Sequence, residues 1–495
     1  MSTTTDAPRH RTYGNWIRQR SPGIYGLGTI GSIVLILTPA FAVIGLLVDA
    51  MVGLTIGLFG LLVLAFMAYK IKGRSLGELL IVRFAFWRTR AKKENLYHSG
   101  MLAEPNGAHQ LPGLLARSEL VATRDGFGQD AGIVVIPQTS HFTAVLRLDP
   151  EGASLVDREQ IDQWVAGYGH WLAQLAHEPG FVAASVTVET APDPGTRLAT
   201  AVNSQRNQQA PELAGQVLDD IIATYPAGSA QVTAWATVTY QSTGQNRRRG
   251  REVMINHVAA RLPGLADALR GTGAGAVRPM TAQEITDIVK IAYDPALGPM
   301  LEEVRAKGVP SQLTWDNAGP KSAVAGWDTY RHDSGATRVY SMDEAPRGTV
   351  LARVLEQLIQ PHPQIPRKRV TLIYRPHTPG EAAKIVDRDV RTSRFVQNSR
   401  GSARDQVTIR AAEQAATEEA EGAGVTRFAL LVAVTMESMA DLEDADTIVD
   451  GLEGTARLEL RPVYNGQAAA FAATLPTGVV LPEHVVIPPA VREAI

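Results

Sequence analysis

The segment YGLGTIGSIV at residues 25–34 places Gly26, Gly28 and Gly31 at the G-x-G-x-x-G spacing of a dinucleotide-binding loop. In such a loop the glycines let the backbone approach a pyrophosphate at the start of a helix, and an acidic residue about 20 positions later binds the ribose. Asp49 lies at a suitable distance. Because the motif needs a preceding strand and an aqueous setting, the surrounding sequence has to decide its meaning.

The remaining candidates for chemistry are weak. His177 and Glu178 are adjacent, but the second histidine of a zinc-binding H-E-x-x-H motif is absent, and His170 has no third ligand near it. The segment around Lys321 lacks the Gly-Lys pair of a phosphate-binding P-loop, and the chain has no cysteine. We therefore predict no cofactor, no metal and no enzymatic activity. An active site assembled only in three dimensions remains the alternative.

Charge is distributed unevenly along the chain. Residues 1–99 contain 12 Lys or Arg against 4 Asp or Glu, so this part is net +8 and the remainder is net −10. Basic side chains of this kind are candidates for contact with anionic lipid headgroups or an acidic partner, and contact with nucleic acid stays open. The candidates are Arg83, Arg88, Arg90, Lys92, Lys93, Arg247, Arg248, Arg249 and Arg251.

Two apolar runs follow the first 23 residues of the chain. Residues 24–48 and 51–69 are almost wholly apolar, and each is long enough for a helix to cross about 30 Å of hydrocarbon. The sequence therefore predicts a basic tail at 1–23, a two-helix transmembrane hairpin at 24–70 and an amphipathic basic helix at 71–98 beside the membrane. Because Lys and Arg are concentrated on both outer flanks, both termini are predicted to be cytoplasmic, in a bacterial cell membrane.

This interpretation also gives the glycines a role. In a membrane helix, small residues four apart permit close helix packing, and Gly53 and Gly57 form such a pair. We therefore interpret Gly26, Gly28, Gly31, Gly53 and Gly57 as helix-packing residues, and we interpret the dinucleotide match as a coincidence.

The body that follows is predicted to be α+β. Strands are expected at 131–137, 141–148, 181–190, 231–240, 369–376, 427–434 and 456–464, with amphipathic helices between them. This alternation favours two ferredoxin-like (split βαβ) regions. The predicted boundaries are 99–295 for the first cytoplasmic domain, 296–325 for a connector rich in Pro and Gly, and 326–495 for the second.

Several segments together resemble a known family. The strings TYGNW (12–16), LPGLLARSEL (111–120), HEPGFVAASVTVETAPDPG (177–195) and AFAATLPTG (470–478) resemble integral membrane proteins of actinobacterial conjugative elements. Members of that family are described as conjugal-transfer, type IV secretion-like components. The resemblance covers nearly the whole chain and implies a role without assigned catalytic residues.

The C-terminal half also resembles the non-motor N-terminal domain of VirB-type conjugation ATPases. RVTLIYRP (369–376) and AFAATLPTG (470–478) carry this second resemblance, but the sequence ends at Ile495 without a motor domain. The two resemblances imply a membrane-anchored scaffold of a conjugative DNA-transfer apparatus that docks a separate ATPase. A type VII secretion EccE-like membrane subunit is the first alternative, and a membrane-tethered enzyme is the second.

Overall fold

The computed structural model describes Tyr13 and residues 28–71, 74–100, 111–152, 155–193, 195–207, 209–224, 230–242, 250–346, 350–400, 403–420, 422 and 424–485. Contacts divide the chain into two compact units. The first, here called the body, consists of Met1–Trp16 and Leu96–Glu483. The second, here called the helical unit, consists of Ile17–Asn95 and His484–Ile495.

Within its described residues, the helical unit contains three helices and one small antiparallel ribbon. Helices α1 and α2 are joined at Asp49, whose Oδ1 accepts a hydrogen bond from the Met51 N–H at 2.7 Å and so caps the second helix. Helix α3 packs against α2. The elements are α1 (Gly28–Val48), α2 (Ala50–Ala68), β1 (Lys70–Ile71), β2 (Arg74–Ser75) and α3 (Leu76–Ala91).

The membrane prediction needs correction. Among the residues that the structure describes, no helix has the length and apolarity needed to cross a membrane. The two-span hairpin predicted at 24–70, and with it the multi-pass membrane localisation, is therefore wrong. The prediction relied on the length of the apolar runs, whereas the first helix begins only at Gly28 and contains Pro39.

The body is built on one antiparallel sheet. The large sheet has 13 strands in the order β3-β10-β11-β12-β14-β13-β7-β8-β6-β5-β4, with β15 paired to β12 and β9 paired to β6. The strands are β3 (Leu96–His98), β4 (Glu119–Arg124), β5 (Asp130–Ile136), β6 (His141–Asp149), β7 (Phe181–Pro192), β8 (Ala230–Gln241), β9 (Ala276–Pro279), β10 (Ser322–Ala325), β11 (Tyr330–His332), β12 (Gly335–Glu344), β13 (Arg367–Pro376), β14 (Thr426–Met436) and β15 (Glu459–Pro462).

Helices connect these strands and cover both faces of the sheet. They are α4 (Arg158–Leu175), α5 (Thr196–Gln205), α6 (Glu212–Thr224), α7 (Arg251–Arg270), α8 (Ala282–Tyr293), α9 (Gly298–Ala306), α10 (Glu356–Ile359), α11 (Pro379–Arg400), α12 (Ala403–Ala420), α13 (Asp441–Ala456) and α14 (Gln467–Ala473). Short 3-10 helices lie at Gly113–Leu115, Pro295–Leu297, Trp315–Asn317 and Leu481–His484.

The order of elements repeats once along the body. Strands β4 to β9 with α4 to α8 form the first half, and β10 to β15 with α10 to α14 form the second. In the first half β9, β6, β8 and β7 lie side by side, and in the second half β15, β12, β14 and β13 do the same. Each set has the connectivity and strand order of a split βαβ unit. In the first half the helix pair α5 and α6 lies between β7 and β8. In the second half the helix pair α11 and α12 lies between β13 and β14.

The two halves are joined edge to edge. Strand β7 pairs with β13 antiparallel over seven residue pairs, from Ala184 opposite Tyr374 to Thr190 opposite Lys368. At the centre of this seam Thr187 faces Thr371, and their hydroxyl oxygens are 2.9 Å apart. The predicted fold class is thus wrong in the transmembrane hairpin, whereas the α+β class of the body is confirmed. The two halves belong to one continuous antiparallel sheet.

The two faces of the sheet have different cores. One face, here called the shared face, carries a single hydrophobic cluster with members from both halves, including Val134, Trp235 and Leu431. The opposite face carries two clusters, one around α4 and α7 and one around α13. Since neighbouring residues of a strand point to opposite faces, Leu431 enters the shared core while Val432 enters the core of the second half.

Candidate functional site

A cluster of charged side chains lies on the shared face at the seam, largely buried. Strand β7 contributes Glu189 there, and β13 contributes Arg367 and Arg369. Their two-residue spacing on β13 directs both guanidinium groups to the same face. The antiparallel register then places Arg369 directly opposite Glu189. The seam therefore brings residues about 180 positions apart into one electrostatic cluster.

A single carboxylate serves both arginines. Arg367 donates a hydrogen bond to Glu189 Oε1, and Arg369 Nη1 lies 4.0 Å from the same oxygen. Arg369 is only 1% exposed, and burial lowers the pKa of its guanidinium to about 10, although the Glu189 charge opposes this shift. Within the described part of the chain, none of its three guanidinium nitrogens makes a hydrogen bond. The stability of this charge depends on Glu189.

Aromatic side chains cover the cluster. The Arg369 guanidinium carbon lies 4.6 Å from the centre of the Phe471 ring, a cation-π contact in a buried setting. Phe471 belongs to α14, and its ring centre is 5.1 Å from that of Tyr293 at the end of α8. These two helices follow the last strands of the two halves. The aromatic contact therefore joins the halves above the sheet, as the seam joins them within it.

A buried histidine completes the region. His332 Nδ1 lies 2.7 Å from the Tyr293 carbonyl oxygen, and its Nε2 lies 2.8 Å from Thr337 Oγ1, which in turn lies 2.8 Å from Thr435 Oγ1. Because a carbonyl oxygen only accepts, Nδ1 carries the proton and Nε2 accepts from the hydroxyl. Burial, followed by the repulsion of Arg369 and Arg367, lowers the pKa of His332 to about 4. The imidazole is therefore neutral near pH 7.

This arrangement acts as an internal clamp. Its charged and polar groups are directed at one another from both halves, and they fix the register of β7 against β13. A buried ion pair of this kind adds little net stability by itself, but removing one partner is costly because the other charge stays buried. The cluster therefore supports an electrostatic contact that holds the two halves of the body together.

The predicted helix-packing glycines differ in their surroundings. Gly28 is the first residue of α1 and Gly31 lies one turn further on, while Gly26 lies outside the described residues. A methyl group at Gly53 would lie 2.4 Å from Leu46 Cγ, whereas one at Gly57 would lie 3.7 Å from the Ala42 Cβ. Close approach of α1 and α2 therefore depends on Gly53.

The predicted basic contact residues fall into two groups. The α3 group, Arg83, Arg88, Arg90, Lys92 and Lys93, is exposed in the helical unit, on or directly after α3. Arg251 is the first residue of α7 in the body and forms an exposed ion pair with Glu119. Arg247, Arg248 and Arg249 lie outside the described residues. Arg251 and the α3 group thus belong to different units.

The histidines considered from sequence have local roles. His177 Nδ1 lies 3.0 Å from the Ala173 carbonyl oxygen, and His170 Nε2 lies 2.9 Å from Gln174 Nε2. Within the ranges that the structure describes, no group of three or more His, Asp or Glu side chains is arranged to hold a metal ion.

The clamp residues are absent from the candidates chosen by sequence. The segment PRKRV at 366–370 reads as a minor basic cluster when charges are counted along the chain. Read with the period of a strand, it places Arg367 and Arg369 on one face. Glu189, in the segment SVTVET at 185–190, is likewise a charged residue within a predicted strand. Charged residues on the inward face of a predicted strand were the available signal.

Comparison with known proteins adds one match. A family model described as a domain of unknown function (DUF8461) matches residues 20–78. This segment lies within the helical unit as far as it is described, and the description assigns no activity. No curated protein matches the chain.

Removing the clamp carboxylate should destabilise the body. Glu189→Gln leaves Arg367 and Arg369 buried without a counter-charge, so we expect a loss of about 3–5 kcal/mol in the free energy of unfolding. Urea denaturation followed by tryptophan fluorescence measures this loss. The matched control is Asp267→Asn, which removes the exposed partner of Arg270 and should change stability by less than about 0.5 kcal/mol. Equal unfolding midpoints for the two variants would contradict the clamp.

Acid should weaken the body partly through His332. Because its folded pKa lies below the unfolded value of about 6.5, the unfolded state binds more protons, and stability is lost as the pH falls from about 6.5 towards 4. His332→Gln removes this contribution, which is on the order of 3 kcal/mol. As the pH is lowered across this range, the free energy of unfolding should therefore fall more steeply for the wild type than for the variant. Parallel curves would show that His332 is not buried as a neutral group.

Proposed function

We propose that the chain is a structural, non-enzymatic component of a conjugative DNA-transfer (type IV secretion-like) apparatus, and that it docks a separate VirB-type ATPase. The sequence resemblance supports the identity of the apparatus. The segments that resemble the non-motor domain of such ATPases are 369–376 and 470–478. They correspond to β13 and to α14 with the turn after it, which are parts of the seam and its cover.

The observation that carries the docking role is an apolar stripe on α6. Leu213, Val217 and Ile221 are spaced by four residues, so they lie on one face of the helix. Their exposed fractions are 72%, 51% and 43%, and α6 has no buried residue among those described. An ion pair at 2.8 Å between Arg206 and Asp219 holds α6 to the end of α5. The stripe is thus held in place and open to an apolar surface of a partner.

The fused sheet suits a scaffold for a further reason. Helix pairs are inserted after β7 and after β13, and these strands are antiparallel neighbours. The insertions therefore leave the sheet at opposite ends of the seam. Because one sheet connects them, their separation is fixed by the register of β7 and β13. A fixed position of the α6 stripe relative to the rest of the sheet is what a docking component requires.

Co-purification tests this proposal. A VirB-type conjugation ATPase from the same organism should be recovered with the tagged wild-type protein, and replacing Leu213, Val217 and Ile221 by Ser should reduce that recovery at least about tenfold. The matched control replaces Phe127 and Leu351, two separate exposed apolar residues, by Ser and should retain the ATPase. Failure of the wild type to recover the ATPase would contradict the function, and equal recovery by both variants would contradict the surface on α6.

A further inference from the structure

Helix α3 exposes an apolar face. Leu80, Phe84 and Trp87 are spaced by four and three residues, so they form one stripe, and their exposed fractions are 58%, 66% and 66%. The Phe84 and Trp87 ring centres are 6.1 Å apart. The opposite side of the helix carries the half-buried Val82 and Phe86. The packing of the helical unit therefore leaves an apolar face of α3 exposed to water, which costs free energy.

Basic side chains border this apolar stripe. At 100° per residue, Arg83 and Arg90 lie along one edge of the stripe and Arg88 lies along the other. All three are exposed, and Lys92 and Lys93 follow directly after the helix. Glu94 is the one acidic residue between positions 80 and 95. The exposed face thus combines an apolar centre with cationic borders.

We propose that the exposed face of α3 binds the surface of an anionic lipid bilayer, with the helix lying along that surface. In this position aromatic and aliphatic side chains enter the region between headgroups and acyl chains, and arginine side chains extend sideways to phosphate. The contact is peripheral and involves no crossing of the bilayer. It is independent of the proposed docking of an ATPase.

The composition of the stripe favours lipid over nucleic acid. Aromatic rings and arginines also bind single-stranded nucleic acid, where bases stack on the rings. Leu80 and the neighbouring Ile81, which is 68% exposed, offer no stacking surface. Exposed aliphatic side chains such as these gain free energy by leaving water, which an acyl-chain boundary provides.

Vesicle co-sedimentation of the full chain tests the proposal. Wild-type protein should bind vesicles of phosphatidylcholine and phosphatidylglycerol in a three-to-one ratio more tightly than vesicles of phosphatidylcholine alone, and high salt should weaken the difference. The triple replacement of Arg83, Arg88 and Arg90 by Gln should lower the partition coefficient for the anionic vesicles about 100-fold, or about fivefold per charge. Trp87→Ala should lower it about tenfold at either salt concentration.

The matched control removes the same charge from the body. Arg124, Arg270 and Arg331 are exposed there, and their triple replacement by Gln should leave vesicle binding within about twofold of wild type, since their charges lie outside the lipid contact. Equal binding of wild type to both kinds of vesicle would overturn the proposal. So would an equal loss in the two triple variants, or binding of a single-stranded oligonucleotide that depends on Trp87 while vesicle binding does not.

Discussion

The antiparallel pairing of β7 with β13 is the interaction on which the rest of the body depends. Strands β7 and β13 lie at the edges of the two halves. Without this pairing, each would present unpaired N–H and C=O groups, and such edges are costly and prone to aggregation. Seven residue pairs close both edges at once. The pairing also makes a single core on the shared face, to which both halves contribute. Neither half has this core without the other.

This constraint explains the unusual chemistry of the seam. In an antiparallel ladder the register decides which side chains meet, and here it sets Arg369 opposite Glu189 and Thr371 opposite Thr187. A slip of one residue would turn every one of these side chains to the opposite face. Because buried charges tolerate only one arrangement, the clamp strengthens the preference for the observed register. The polar residues of the seam therefore supply specificity, while the hydrophobic clusters supply most of the stability.

Local patterns located many elements but not their pairing. The alternation over 181–190 and 231–240 predicted β7 and β8. Helix α9 and strand β10 lie within the connector predicted at 296–325, and the four residues of β10 are too few for a periodic signal. The seam and its clamp could not be predicted from local patterns, because β7 and β13 are about 180 residues apart in the sequence. Apolar run length also predicted a hairpin of membrane spans that the structure contradicts.

The central claim is that the two halves form one sheet, and amide hydrogen exchange tests it most directly. If β7 and β13 pair as described, amides at 184–190 and 368–374 belong to the cooperative core and exchange as slowly as those of β6 and β14. Mass spectrometry of peptides covering these four strands measures the rates. Rapid exchange in both seam strands, together with slow exchange in β6 and β14, would contradict the account, because it would mean that the halves fold as separate sheets with open edges.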